Sequence, residues 1–141
     1  MNSGSSITSN GGNITLGGGN GAISAGVGFA RGYGAFNDGI GVQVSGNLTA
    51  AGGNVVINGI ADAISTSLGR PAGVRVVGNI STTGTGTINL TGQSMTPTSL
   101  GNQVGVAIGD YYSSAGSVTS VDGDILINGT VGSGYWSNSG V

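Results

Sequence analysis

The sequence contains no lysine, glutamate, histidine or cysteine, and charged residues make up only 6% of its 141 positions. Without cysteine there is no disulfide framework and no thiol nucleophile, and without histidine the commonest general base is missing. Five aspartates and three arginines leave a formal net charge of −2. That charge gives no field that would gather nucleic acid or anionic lipid, so neither is expected as a partner.

Long apolar runs are also absent. No stretch approaches the roughly 18 residues that a membrane helix requires, so no membrane insertion is expected. Residues 1–4 lack both the charged start and the apolar stretch of a signal peptide. If the protein is secreted, we expect its export signal to lie outside this chain.

Glycine, in contrast, is abundant, with 32 residues. High glycine and low charge are typical of disordered segments, which are however poor in β-branched residues. Here Val, Ile and Thr recur at regular positions, which favours a folded chain. Glycine at short intervals also argues against helices, since each one costs a helix about 1 kcal/mol relative to alanine.

A short motif recurs four times, in copies that begin near Ile7, Leu48, Ile80 and Val118. Each copy reads as an I-T pair, a glycine-rich turn and an I-x-L triplet, and the copy at Ile80 carries one extra residue at the turn. A second element, G-V-x-V in its first two copies, recurs at equal spacing at residues 41–44, 73–76 and 105–108. Repeats of this length are typical of stacked repeat architectures.

The apolar residues of each element lie two positions apart, which places them on one face of a β-strand. Stacking equivalent strands about 4.8 Å apart would align these residues in ladders. The predicted ladders are Ile7-Leu48-Ile80-Val118, Ile14-Val55-Ile88-Ile125, Leu16-Ile57-Leu90-Ile127, Val42-Val74-Val106 and Val44-Val76-Ile108. The residues between them vary, as outward positions do.

The repeat predicts an all-β chain, a right-handed parallel β-helix (β-solenoid) of about four coils with three short strands per coil. Residues 1–141 would form a single domain or segment of this kind. The alternative is a β-sandwich of short strands, which would not need a repeat that stays in phase along the chain.

The repeat shows no capping segment at either end, because it has begun by Ile7 and is still in phase at Val141. Two interpretations remain open: a piece of a longer solenoid, or a subunit that stacks end to end into a fibre. The expected partners are accordingly other copies of the chain or flanking coils. A heterologous contact of this kind does not close and gives filaments.

No catalytic constellation, cofactor site or metal site is predicted. The nearest carboxylate pair, Asp122 and Asp124, lies on a turn and could share a proton or a cation. In the other copies the same turn carries Gly or Asn, which favours a plain turn role. The column Thr8, Thr49, Ser81 and Thr119 is expected to be a hydrogen-bonded outer ladder and not an ice-binding array.

The aromatic residues lie in the variable loops. Loops on a rigid scaffold commonly carry binding function, and Tyr and Trp are favoured contact residues. The other interpretation is that these residues cover the outer apolar surface. The candidate partner-contact residues are Phe29, Tyr33, Phe36, Tyr135 and Trp136.

Residues 78–92, with their relatives at 12–18, 46–59 and 117–129, resemble the passenger repeats of filamentous-haemagglutinin-like and autotransporter adhesins. The resemblance implies a β-helix fold, exposure at the outer surface of a bacterium, and adhesion to a glycan or protein receptor. It transfers no binding residue. We therefore expect a non-enzymatic stalk or fibre segment in adhesion or biofilm matrix. The alternative is a polysaccharide-acting β-helix enzyme or a tailspike-like carbohydrate-binding module.

Overall fold

The computed structural model describes residues 1–17, 28–32, 39–62, 70–94, 102–109, 116–132 and 139–141. Within these ranges the chain is all-β, as predicted. No helix there has the length and apolarity that crossing a membrane requires. Tyr33, Phe36, Tyr135 and Trp136 lie outside the described residues.

The strands follow the repeat, with three in each copy. In chain order they are β1 (Ser6–Ser9), β2 (Ile14–Leu16), β3 (Ala30–Gly32), β4 (Ile40–Val44), β5 (Asn47–Ala50), β6 (Val55–Ala61), β7 (Ala72–Val76), β8 (Asn79–Thr82), β9 (Ile88–Ser94), β10 (Val104–Ile108), β11 (Ser117–Thr119) and β12 (Ile125–Val131).

These strands form three parallel sheets. Sheet 1 has the order β1-β5-β8-β11, and sheet 2 has the order β4-β7-β10. Sheet 3 has the order β2-β6-β9-β12, and β3 also pairs with β6. Each of the second, third and fourth repeat copies thus gives one strand to every sheet, and we call each such set a layer. The first layer contains β1, β2 and β3.

The five ladders predicted from the sequence match the strand register. In sheet 1, Leu48 pairs with Ile7 on one side and with Ile80 on the other, and Val118 pairs with Ile80. The ladders of sheets 2 and 3 are paired in the same way. Period-two spacing within a repeat was therefore enough to predict which residues stack on which.

The three sheets share one apolar core. Leu48 and Ile80 from sheet 1, Val74 from sheet 2, and Ile57 and Leu90 from sheet 3 are all completely buried in it. Each fully buried aliphatic side chain of this size contributes about 1.5–3 kcal/mol relative to exposure. The core therefore runs through the layers and binds each sheet to the other two.

Strands β6, β9 and β12 are longer than the I-x-L triplet predicts. Each continues for four more residues, through an Asn-Gly or Thr-Gly pair, to a total of seven. Gly59, Gly92 and Gly129 pair in register within these extensions. The pairs resemble turn signals in the sequence, but here they lie inside strands.

The glycines in the extensions allow sheets 2 and 3 to touch backbone to backbone. A Cβ atom built on Gly59 would lie 2.0 Å from the carbonyl oxygen of Gly73, and one on Gly92 would lie 1.9 Å from that of Gly105. Neither distance leaves room for a side chain. The glycine of the G-V-x-V element is therefore a packing residue, opposite a second glycine in the preceding layer.

Candidate functional site

The described surface has two ends at which strand edges lack a neighbour. The β1 end is formed by the outer edges of β1, β2 and β4, and the β12 end by those of β11, β12 and residues 139–141. Unpaired N–H and C=O groups along such edges are templates for pairing with another strand. The two ends are therefore the first surfaces to consider as sites.

The β1 end contains a cavity of about 550 Å³ with a mainly apolar lining. Its walls come from the first and second layers and include Met1, Ile7, Leu16, Gly41 and Val42. The cavity lies at the edge of sheet 2, where β7 is the strand that pairs with β4 within the described ranges. Its lining includes the ladder residues Ile7, Leu16 and Val42, so the cavity reaches the apolar ladders at this end.

Met1 occupies part of the place that a neighbouring strand would fill. Its ammonium group donates a hydrogen bond to the Gln43 carbonyl at 2.9 Å, and its own carbonyl accepts from the Ser45 N–H at 3.0 Å. The Val76 carbonyl accepts from Gly109 N–H in the corresponding way, at 2.7 Å. Met1 therefore stands where the last residue of a G-V-x-V strand would lie.

Residues 139–141 begin such a strand at the opposite end. Ser139 forms a parallel bridge with Val104, and its N–H donates to the Gln103 carbonyl at 3.0 Å. Val106 N–H donates to the Gly140 carbonyl at 2.9 Å. Gly140 also takes the place opposite Gly129 that Gly105 takes opposite Gly92. Residues 139–141 therefore repeat the first half of β10, one layer further on.

Ladder residues become exposed at both ends. Ile7 is 39% exposed and Ile125 is 42% exposed, whereas Leu48 and Ile88, which stand on the same ladders inside the stack, are fully buried. At the β12 end Leu126 and Val141 are also exposed, at 52% and 66%. Ile7 and Ile125 lie on the outermost described strands, which have a neighbouring strand on one side only, whereas Leu126 occupies an outward position between two ladder residues.

The charged groups of the described residues differ between the two ends. Asp122 and Asp124 are both exposed at the turn before β12. At the β1 end, the Met1 ammonium group lies beside β4, and the Arg31 guanidinium of β3 pairs with the Asp62 carboxylate of the second layer. The carboxylates at the β12 end thus have no ion pair among the described residues, whereas the Arg31 charge is balanced by Asp62.

A polar column follows the outer face of sheet 1. Thr49 and Ser81 hydroxyl oxygens lie 3.2 Å apart, which confirms the predicted hydrogen-bonded outer ladder for this pair. Asn79 donates from Nδ2 to Asn47 Oδ1 at 2.9 Å, and Ser117 Oγ donates to Asn79 Oδ1 at 2.7 Å. These side chains therefore link neighbouring layers across the outer face of sheet 1.

A second column links the layers at the glycine-rich turn. Asn13 Oδ1 accepts the N–H of Asn54, and Asn54 Oδ1 accepts the N–H of Thr87, both at 2.9 Å. Each layer thus offers an acceptor to the backbone of the next. Asp124 holds the equivalent position in the fourth layer, where its carboxylate is exposed.

Of the residues singled out in the sequence as possible site residues, the structure describes Phe29, Asp122 and Asp124. Phe29 is half-buried just before β3, and the other four aromatic candidates lie outside the described residues. Asp122 and Asp124 lie at the β12 end, and no group of three acidic or metal-ligating side chains occurs among the described residues. The cavity at the β1 end was not predicted, because its walls come from four different strands and from Met1, which precedes the repeat.

Within the part of the chain that the structure describes, the arrangement offers strand edges, a cavity and exposed ladder residues. Comparisons with protein-family models, with curated proteins and with solved structures find no match for this chain.

Proposed function

We propose that this chain is a stretch of right-handed parallel β-solenoid that serves as a non-enzymatic stalk or fibre segment. Its three parallel sheets around one core support this proposal, since each sheet takes one strand from each of the second, third and fourth repeat copies. In this proposal each layer is one coil, and the four layers form a short rod. The in-phase register of all three sheets is the observation that carries it.

The proposed setting is the outer surface of a bacterium, in adhesion or in biofilm matrix. The polar face of Ser, Thr and Asn supports it, because these side chains satisfy one another across layers without charge. A receptor, either a glycan or a protein, would contact the variable loops that carry Phe29 and the other aromatic candidates. This part of the proposal rests on the resemblance of the repeats to adhesin passenger regions.

The proposal predicts that the folded chain confers adhesion when it is displayed on a non-adherent bacterium. Two variants of β9 form a matched pair: Leu90→Asp places a charge in the core, and Asn89→Asp places the same charge on the outer face. Burying an unpaired charge is far more costly than exposing it, so only Leu90→Asp should abolish the fold. We expect adherence to cultured cells, or biofilm mass, to persist with Asn89→Asp and to be lost with Leu90→Asp.

Equal adherence by both variants would refute a role for the folded chain. A different result would favour the enzymatic alternative: a polysaccharide-cleaving activity of the purified chain that the double variant Asp122→Asn/Asp124→Asn loses. These substitutions keep the size of the side chains and remove both carboxylates, so loss of cleavage with retained fold would assign catalysis to this pair.

A further inference from the structure

The two ends of the molecule are complementary in strand order. At the β12 end, sheet 1 ends on β11, sheet 3 on β12, and sheet 2 on the started strand 139–141. At the β1 end, sheet 1 begins with β1, sheet 3 with β2, and sheet 2 with β4 preceded by Met1. The β12 end thus carries the first residues of a sheet 2 strand, and at the β1 end Met1 stands at the position of the last residue of such a strand.

The cavity at the β1 end has the position that residues 139–141 would require. It is bordered by Gly41 and Val42 of β4 and by Met1. In the register of sheet 2, Gly140 and Val141 correspond to Gly105 and Val106, and so to Gly41 and Val42 two copies before these. A strand beside β4 would therefore carry a glycine and then a valine at the mouth of this cavity.

We propose that a second copy of this chain places its residues 139–141 in the cavity at the β1 end. This proposal rests on the proposed solenoid, to which it adds the identity of the partner and the register of the contact. Val141, 66% exposed in the single chain, would fill the apolar cavity beside Val42. The strand shared in this way would begin with residues 139–141 of one copy and end with Met1 of the other.

The same placement sets the register in the other two sheets. Thr119 of one copy lies beside Thr8 of the next, since both belong to the column that runs through Thr49 and Ser81. Ile125 lies beside Ile14, and Ile127 beside Leu16, which continues both ladders of sheet 3. The exposed ladder residues at both ends become covered in one step.

Two features select this head-to-tail arrangement over a symmetric one. All strands of each sheet run parallel, so only a head-to-tail contact continues the sheets in their own pattern. It also places residues 139–141 of one copy, which begin a strand of sheet 2, at the end where Met1 of the other copy lies beside the last residues of β4. A heterologous contact of this kind does not close, so it produces filaments.

The chain has no cysteine, so engineered single cysteines report this contact without background. Thr8→Cys and Thr119→Cys both lie at exposed positions. Paired residues of neighbouring parallel strands lie about 4.8 Å apart, within the Cα distance that a disulfide spans. When the two single variants are mixed and oxidised, we expect the mixed disulfide to be the main product by mass spectrometry.

The matched control replaces Thr119→Cys by Ser117→Cys, on the same face of β11 but two residues out of register. Its Cα atom would lie about 8 Å from position 8 of the next copy, beyond the reach of a disulfide. Dominant Thr8–Thr8 homodimers, or equal yields with Ser117→Cys, would overturn the proposed register.

A second measurement tests the cavity itself. Val141→Asp would place a carboxylate in the apolar cavity, whereas Asn89→Asp adds the same charge on the side of the stack. By sedimentation velocity, we expect Val141→Asp to weaken self-association by about tenfold or more, and Asn89→Asp to leave it unchanged.

A chain that stays monomeric at high concentration would overturn the proposal and would assign the cavity to another occupant, such as a further coil of the same polypeptide. That result would leave the solenoid proposal standing, because the adhesion test with Leu90→Asp does not depend on self-association. Conversely, filaments that form without any adhesion would support the proposed contact between copies and contradict the proposed role in adhesion.

Discussion

Glycine has two different roles in this chain, and they are distinguished by geometry. Gly11, Gly52 and Gly84 have positive φ angles of 89°, 87° and 55° at the turns between sheets 1 and 3. Gly59 and Gly92 instead lie inside strands, where a Cβ would collide with a carbonyl oxygen of sheet 2. The first role needs backbone freedom, and the second needs the absence of a side chain.

Alanine substitutions should separate these two roles. At Gly92 the added methyl group would have to displace backbone, so we expect Gly92→Ala to lower the free energy of unfolding by about 3 kcal/mol. At Gly52 no atom lies within 4 Å of the built Cβ. Only the left-handed backbone is unfavourable there, at about 1–2 kcal/mol. Urea unfolding of both variants measures the difference, and equal losses would contradict the close approach of sheets 2 and 3.

Two buried hydroxyl groups give opposite predictions. Thr82 Oγ1 lies 2.6 Å from the Ala50 carbonyl oxygen and 2.7 Å from that of Gly53, so its proton is well accepted. Ser94 Oγ is fully buried and has no hydrogen-bond partner in the described part of the chain. We expect Thr82→Val to destabilise the protein by about 1 kcal/mol and Ser94→Ala to stabilise it by a similar amount.

Thermal unfolding of the two variants checks this pair of predictions. Ser94 stands between Ala61 and Val131 in the strand register, so a methyl group suits its column. A destabilised Ser94→Ala variant would mean that the hydroxyl is paired. An unchanged Thr82→Val variant would mean that the link across the turn contributes nothing.

At the scale of the strands, the sequence predicts the ladders but not the full length of each strand. Pairs such as Ile14 and Leu16 mark the buried face, and an in-phase repeat tells which pairs stack. The ends of β6, β9 and β12 were missed because Asn-Gly is also a common turn signal. The dipeptide continues the strand because its glycine packs against a glycine of sheet 2, as Gly59 does against Gly73. This contact joins residues that are distant in sequence, so a local pattern does not predict it.

The candidate site was less predictable than the strands for the same reason. The cavity was not visible in the sequence. Its walls combine Met1, which lies outside the repeat, with β4 and β2, which belong to different layers. No local sequence pattern predicts such a combination. The equivalence of Gly140 with Gly105, in contrast, follows directly from the repeat.

For the whole molecule, stability and association are expected to come from the same interactions. Inside the stack, each layer buries its ladder residues against two neighbours, and the outer layers have only one. In repeat proteins of this kind, stability is approximately a sum of unit and interface terms. A further layer at either end, from a second copy or from the same polypeptide, would add an interface of the type already present inside.

The most direct test of the account is nuclear magnetic resonance measurement of scalar couplings across backbone hydrogen bonds. Three equivalent bonds of sheet 1 should each connect neighbouring layers. They run from Asn47 N–H to the Ser5 carbonyl at 2.9 Å, from Asn79 N–H to the Gly46 carbonyl at 3.1 Å, and from Ser117 N–H to the Gly78 carbonyl at 3.0 Å. We predict a coupling for each of these three pairs. Couplings that instead join these amides to the strand adjacent in sequence, as in the hairpins of a sandwich, would contradict the parallel stack.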